Sequence, residues 1–421
     1  MLDRSVMPNI RDVENLKVPP PEVWFMSNGI PVYEVDLGTQ EIVKLELAFY
    51  AGRPFERKKL AARSTPSLLK EGTKNYSSAA IAEIMDFYGA SLSTPFHMDT
   101  SNVLLYSLSK HFEKVLPILA EVISVPSFPQ KELDNFIQRN QQRLQVELTK
   151  NDVLAYRKFT ELIFGEEHPY GYNSFPETYA AITRDDVKAH FEENFTTGNC
   201  TIFLSGKISP QIRELVDKHL GRVILPGPKR TAHFQAPSSL PQNIRLENGD
   251  KSQRAIRIGC RSFNRQHEDY NAMYVLNTIL GGYFGSRLMA NIREEKGYTY
   301  SIYSSNESML YDGYFNISSE VGNEFVEDTV KQIYLEMDKL KTELVEEEEL
   351  SMVKNYLLGS FLTNLDGPFN IIEVVKTFIL EGMPISTFED MAHDIRNITP
   401  EHIMNMAKKY LNKENLWEII V

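Results

Sequence analysis

The chain has 421 residues, 42% of them hydrophobic and 24% charged, and a formal net charge of −12. That length holds two or three domains' worth of core, and the composition is that of an ordinary soluble globular protein. Lysines and arginines are scattered rather than striped, which excludes the basic face a nucleic-acid partner needs, and no apolar run approaches the roughly 18 residues that span a bilayer.

The N-terminal stretch MLDRSVMPNIRDVENLKVPPPEV is interrupted early by acidic residues and has no apolar core of the signal-peptide kind, so a cytoplasmic location is expected. Val43, Leu45, Leu47 and Phe49 alternate with polar residues as a strand with one buried face. A helix over Ala61–Lys70 ends near Gly72. Phe112, Val115, Leu119 and Val122 share a helix face, and a second helix with a polar face follows over 131–147. Its acids Glu132 and Glu147 have no histidine nearby. His168 sits in a His-Pro-Tyr-Gly turn and reads as structural. Ile182-Thr183, a helix and the strand Thr201–Leu204 close the first half. Residues 225–241 then hold four prolines and no helical periodicity, the composition of a semi-extended linker.

The same elements recur at a lag of about 211 to 217 residues, far longer than the period of a solenoid. Ile256, Ile258 and Cys260 answer the first strand. Met273, Leu276 and Leu280 form a helix face that stops at Gly281. Val326, Val330, Ile333, Met337 and Leu340 lead to Glu349-Leu350, where the run Glu346–Glu349 suits a solvated helix start. Ile398-Thr399-Pro400, a helix and Trp417–Val421 close the second half. The expected fold is α+β, with two homologous domains, 1–224 and 246–421, joined by a Pro-rich linker at 225–245. Each is a mostly antiparallel sheet with helices on one face. Two such domains form a clamp with a cleft between them.

The nine histidines include no pair three to five positions apart, so no helix presents two imidazoles to one metal ion. Cys200 and Cys260 lie in apolar alternating runs and read as buried free thiols. Gly281-Gly282-Tyr283-Phe284-Gly285-Ser286 follows a helix and lacks both the dinucleotide spacing and a Walker lysine, which argues against a nucleotide. The alternative is a tight loop whose missing side chains let a peptide backbone come close. Beyond it Ser286 is placed to cap a short helix and Gly297 to end it, with Tyr300 opening a strand. Arg293 and Tyr300 thus offer a charged fork and a hydroxyl at one turn. Together these can hold a carbonyl and the oxyanion it becomes, although a surface ion pair and a core tyrosine fit the spacing too.

The run from GGYFGSRL through NIREEKGYTYSIYS resembles the glycine loop and Arg/Tyr motif of the M16 (pitrilysin-like) metallopeptidases, in particular the two-subunit bacterial and mitochondrial processing-type members. The likeness extends over nearly the whole chain, taking in NGIPVYEV, HPYG and the unit ending TIFLSG. It implies two domains forming half of a clamshell. It assigns Arg293 and Tyr300 to substrate gripping and catalysis, and Gly281, Gly282 and Gly285 to the substrate loop. Active members carry His-x-x-Glu-His before a Gly-Thr. Counting back from Gly72-Thr73, those positions hold Arg63, Pro66 and Ser67. Pro66 would also disturb the helix, and Glu147 falls in the window of the third ligand. The resemblance therefore implies no metal in this chain and zinc in a partner subunit of the same fold. A peptide is the implied substrate; the state of the chain without the partner stays open, a homodimer being one alternative. The rival reading is a non-catalytic M16-like scaffold or peptide-binding protein.

Overall fold

A computed structural model describes residue 13 and residues 16–234, 240–249 and 252–421. Most of the N-terminal stretch up to residue 15, and 235–239 of the Pro-rich segment, lie outside the described residues. The first half builds a six-stranded sheet from β1 (Glu22–Phe25), β2 (Pro31–Asp36), β3 (Ile42–Phe49), β4 (Ser91–Ser93), β5 (Ser101–Leu108) and β6 (Cys200–Gly206), in the order β1-β2-β6-β3-β5-β4. The second half builds β7 (Asn243–Arg245), β8 (Gln253–Ser262), β9 (Ile302–Ser308), β10 (Gly313–Gly322) and β11 (Trp417–Ile420), in the order β7-β11-β8-β10-β9. Only β2–β6 and β7–β11 pair in parallel; every other pairing is antiparallel. Those two parallel pairs stand in matching places, so the internal repeat is a repeat of topology. The fold is α+β, with two alike halves.

Helix starts follow from local chemistry. Thr183 and Thr399 each cap a helix, accepting the backbone N–H of Asp186 and of His402 at 3.2 Å. The apolar faces at Phe112–Ser124 and Val326–Thr342 are buried in separate cores.

Each half also lends a helix to the other. Asn151–Phe164 packs on β8 and β11, its Phe159 and Phe164 clustering with Ala255, Trp417 and Ile419. Pro368–Leu380 packs on β2 and β6, its Ile371 and Val375 joining a core with Val35, Ala48 and Phe203. Strand β3 is buried on both faces for this reason, and the polar residues of its alternation, Lys44 and Glu46, are only 2% exposed each. They are paired with the visiting helix and with each other: Lys376 Nζ reaches Glu46 at 2.8 Å and Glu373 at 2.7 Å, and Lys44 pairs with Glu46 at 3.2 Å and with Glu373. A cavity of about 360 Å³, lined by Tyr50, His97, Asp99, Lys376 and Glu381 among others, opens along this seam. Cys200 and Cys260 are free thiols, and burial pushes the Cys260 thiol up to about 12. No helix among the described residues is long and apolar enough to cross a membrane.

Candidate functional site

The site begins where helix Tyr270–Asn277 widens into π-helical turns over Thr278–Gly282. Gly281 is held there by close approach, since a Cβ would lie 2.6 Å from the Ser304 backbone nitrogen of β9. At Gly285 a Cβ would lie 2.8 Å from the Tyr283 ring, and at Gly282 it would lie 3.2 Å from Asn277. A methyl group at each would meet the chain itself, so close packing within the loop calls for glycine here, while Gly282 and Gly285 remain exposed on their outer side. The loop's outward-facing feature is Phe284, 61% exposed.

A second wide turn, Met289–Glu295, follows. Leu288, Met289 and Ile292 are buried, and Asn291 donates to Glu336 at 2.7 Å, which fixes the turn to helix Val326–Thr342. Gly297 ends it at φ 67°, with the Tyr298 N–H returning to the Ile292 carbonyl at 3.1 Å. Ser286 does not act as its cap: the residue is 1% exposed and its Oγ has no partner among the described residues. Arg287 forks onto Glu349 at 2.9 and 2.7 Å. Glu349 therefore clamps the glycine loop to helix Glu347–Thr363 rather than sitting as a solvated helix start.

Past Gly297 the chain is pinned on both sides of Tyr300. Tyr298 stacks on Phe325 with centroids 4.4 Å apart and donates to Asp328 at 3.0 Å. Thr299 Oγ1 donates to the Glu320 carbonyl at 2.7 Å. Strand β9 starts only at Ile302, so Tyr300 lies in the turn before the strand and projects outward, 87% exposed.

Arg293 and Tyr300 meet. The Arg293 guanidinium lies 5.0 Å from the Tyr300 ring centroid and 4.8 Å from that of Phe284. It makes no hydrogen bond or ion pair with any described residue, so neither Glu294 nor Glu295 claims it. Stacking uses the faces of a guanidinium and leaves its in-plane N–H edge available. A cation positioned by rings, with its donors unspent and a phenol beside it, is an arrangement that receives a carbonyl or a carboxylate. Phe284 was not singled out by the motif analysis; its only sequence signal is an aromatic residue set among three glycines.

The equivalent place in the first half has different chemistry. Helix Ala61–Leu69 continues through Pro66, which is buried, so the proline does not end it. Ser67 Oγ donates to the Arg63 carbonyl at 2.9 Å, Arg63 reaches Asn140 at 3.4 Å, and Glu147 pairs with Arg143 at 2.7 Å. A guanidinium, a proline and a hydroxyl turned onto its own helix do not fit a zinc ion. Among the described residues no group of three or more His, Cys, Asp or Glu side chains is arranged to hold a metal.

Fold and site together define a two-domain peptidase-like chain with an Arg/Tyr corner in one half and a metal-helix position without ligands in the other. The comparisons with known proteins agree. The profile described as Insulinase (Peptidase family M16) matches residues 39–161, and that of the Peptidase M16 inactive domain matches 181–357. A Bacillus subtilis protein described as an uncharacterized zinc protease is 22% identical over 82% of this chain and 84% of its own. A Helicobacter pylori protein described as a non-peptidase homolog is 23% identical over 90% and 88%. The crystal structure of a peptidase M16 inactive domain from Pseudomonas fluorescens superposes with a TM-score of 0.87 at 25% identity, covering 96% of this chain and 97% of that one. The chain belongs to the peptidase M16 family.

Proposed function

We propose that this chain is the zinc-free subunit of a two-subunit M16 peptidase. A partner of the same fold, bearing His-x-x-Glu-His, supplies zinc and the base, and this chain supplies Arg293 and Tyr300. An unstructured peptide is bound between them, adding as a strand to a sheet edge. Arg293 and Tyr300 then donate to the carbonyl at the cleaved bond and to the oxyanion that forms there. Phe284 and the loop of Gly281, Gly282 and Gly285 hold the arginine in place and border the peptide. The observation that carries this reading is the Arg293 guanidinium, set between the Phe284 and Tyr300 rings with no partner for its donors among the described residues. A structural arginine would be spent on a carboxylate or a carbonyl.

The test is to co-express the chain with a zinc-bearing M16 chain from the same organism and assay an unstructured peptide with and without chelator. Loss of one oxyanion donor typically slows turnover roughly 100- to 1000-fold, which is the effect expected of Arg293→Ala or Tyr300→Phe in the complex. Wild-type rates in either variant would refute the assignment. The second reading, a non-catalytic peptide-binding scaffold, is favoured by the 87% exposure of Tyr300. It is the reading that survives if no zinc-bearing chain restores activity while peptide binding persists.

A further inference from the structure

Among the described residues, eleven arginines are half-buried, and nine of them are tied by a hydrogen bond or ion pair of 3.0 Å or less. The two exceptions are Arg293 and Arg63. Among the described residues Arg63 has no carboxylate within ion-pair reach, and its guanidinium makes one hydrogen bond, 3.4 Å to Asn140 Oδ1. Half-burying a guanidinium while leaving four of its five N–H donors without a protein acceptor costs free energy that a ligand would recover.

The two exceptions also occupy related places. Arg63 is on the helix that precedes Gly72 and packs on β5, the neighbour of the free-edge strand β4. Arg293 follows the helix that ends at Gly281, and its turn packs on the free-edge strand β9. The two positions are not equivalent in the repeat, but each lies on a helical segment that packs on the edge strand of its sheet or on that strand's neighbour, near where an extended peptide can add.

We propose that Arg63 is a second peptide anchor, binding a carboxylate of the substrate through its fork while Asn140 steadies one arm. A carboxylate is the acceptor that matches a planar guanidinium with two parallel N–H bonds, which a lone carbonyl does not. The carboxylate comes from an acidic side chain or from the peptide's C-terminus. This rests on the peptide-binding part of the proposed function, not on turnover.

The experiment uses the isolated full chain and three fluorescein-labelled unstructured peptides that share one sequence. One has a glutamate and a free C-terminus, one a glutamate and an amidated C-terminus, and one a glutamine and an amidated C-terminus. Affinity is read by fluorescence anisotropy. Arg63→Ala should weaken the carboxylate-bearing peptide roughly 10- to 100-fold and leave the uncharged one unchanged. Arg63→Lys, which keeps the charge without the fork, should fall between. The step at which the wild type loses affinity identifies the carboxylate. Arg63→Gln, which retains a polar arm toward Asn140, repeats the loss if binding rather than folding is affected. Equal affinity of wild type and Arg63→Ala for all three peptides overturns the proposal, as does an absence of carboxylate-dependent binding. An Arg63→Ala chain that binds peptide normally but associates poorly with a zinc-bearing subunit also overturns it, by placing the carboxylate on the partner. Failure of Arg293→Ala to slow the assembled enzyme would strike the catalytic reading instead and leave this result standing.

Discussion

The Phe284 ring gives the sharpest test of whether the aromatic clamp matters to the work of Arg293. Replacing Phe284 with Ala leaves the guanidinium, the Tyr300 hydroxyl and the backbone in place and removes one of two rings, the one 4.8 Å from the cation. A cation–π contact at an exposed site contributes about 0.5–1 kcal/mol, and re-immobilising a long side chain costs about 0.5–1.5 kcal/mol. Together these amount to about 1–2.5 kcal/mol, a loss in kcat/KM of roughly 5- to 70-fold, below the roughly 100- to 1000-fold expected for Arg293→Ala. The decisive measurement is the double-mutant cycle in the assembled enzyme. If Phe284 acts only by holding the arginine, Phe284→Ala on an Arg293→Ala background costs nothing further. An equal loss on both backgrounds would show that Phe284 touches the substrate on its own account, and the clamp argument would fail.

Two further outcomes follow from buried groups. His190 is 4% exposed; one ring nitrogen donates to the Ala51 carbonyl at 3.0 Å and the other accepts from Asn194 at 3.2 Å, so burial pulls it down to about 4. The unfolded chain then binds the proton more readily than the native one between pH ~6.5 and about 4. The neutral form's stabilisation is therefore present above the unfolded value and is lost as pH falls, by about 3 kcal/mol at the lower end. Denaturant midpoints measured across that range should show His190→Gln flattening the acid limb, and an unchanged limb would locate the sensitivity elsewhere. Gly281→Ala should destabilise the chain by about 1–3 kcal/mol through overpacking against the Ser304 backbone. A thermal midpoint equal to the wild type would mean β9 yields to the methyl group without cost.

What could be read in the chain depended on how local the cause was. The alternation at 43–49 and at 256–260 is a consequence of strand geometry, so β3 and β8 are visible in it, as are the helix starts at Thr183 and Thr399. Lys44 and Glu46 misled on one point: alternation implies a wet face, but a helix from residues 368–380 covers that face and supplies the opposite charges. No local pattern carries that information, because the covering residues lie more than three hundred positions away. The Arg293–Tyr300 encounter was legible because seven residues and one left-handed glycine enforce it. The role of Glu349, sixty-two positions from Arg287, was not, and a charge run at a helix start conceals a half-buried ion pair as readily as a solvated one. The π-helical widening before Gly281 and before Gly297 was also invisible, since its period differs from an α-helix by less than a short segment reveals.

The exchanged helices constrain how this chain can work. Asn151–Phe164 and Pro368–Leu380 each bury their apolar faces in the other half, and the Lys44, Glu46, Glu373 and Lys376 network lies across the same seam. Separating the halves would expose both apolar faces and strip the partners from two nearly inaccessible charges, a change far more costly than a hinge motion. The two halves are therefore held together as one body. Tyr300 and Phe284 are open to solvent. An arginine in water makes a weak oxyanion donor, because solvent screens it and competes for its N–H groups; behind a cover that excludes water the same arginine becomes a strong one. If Arg293 acts as proposed, its strength as an oxyanion donor is therefore set by what covers the exposed corner.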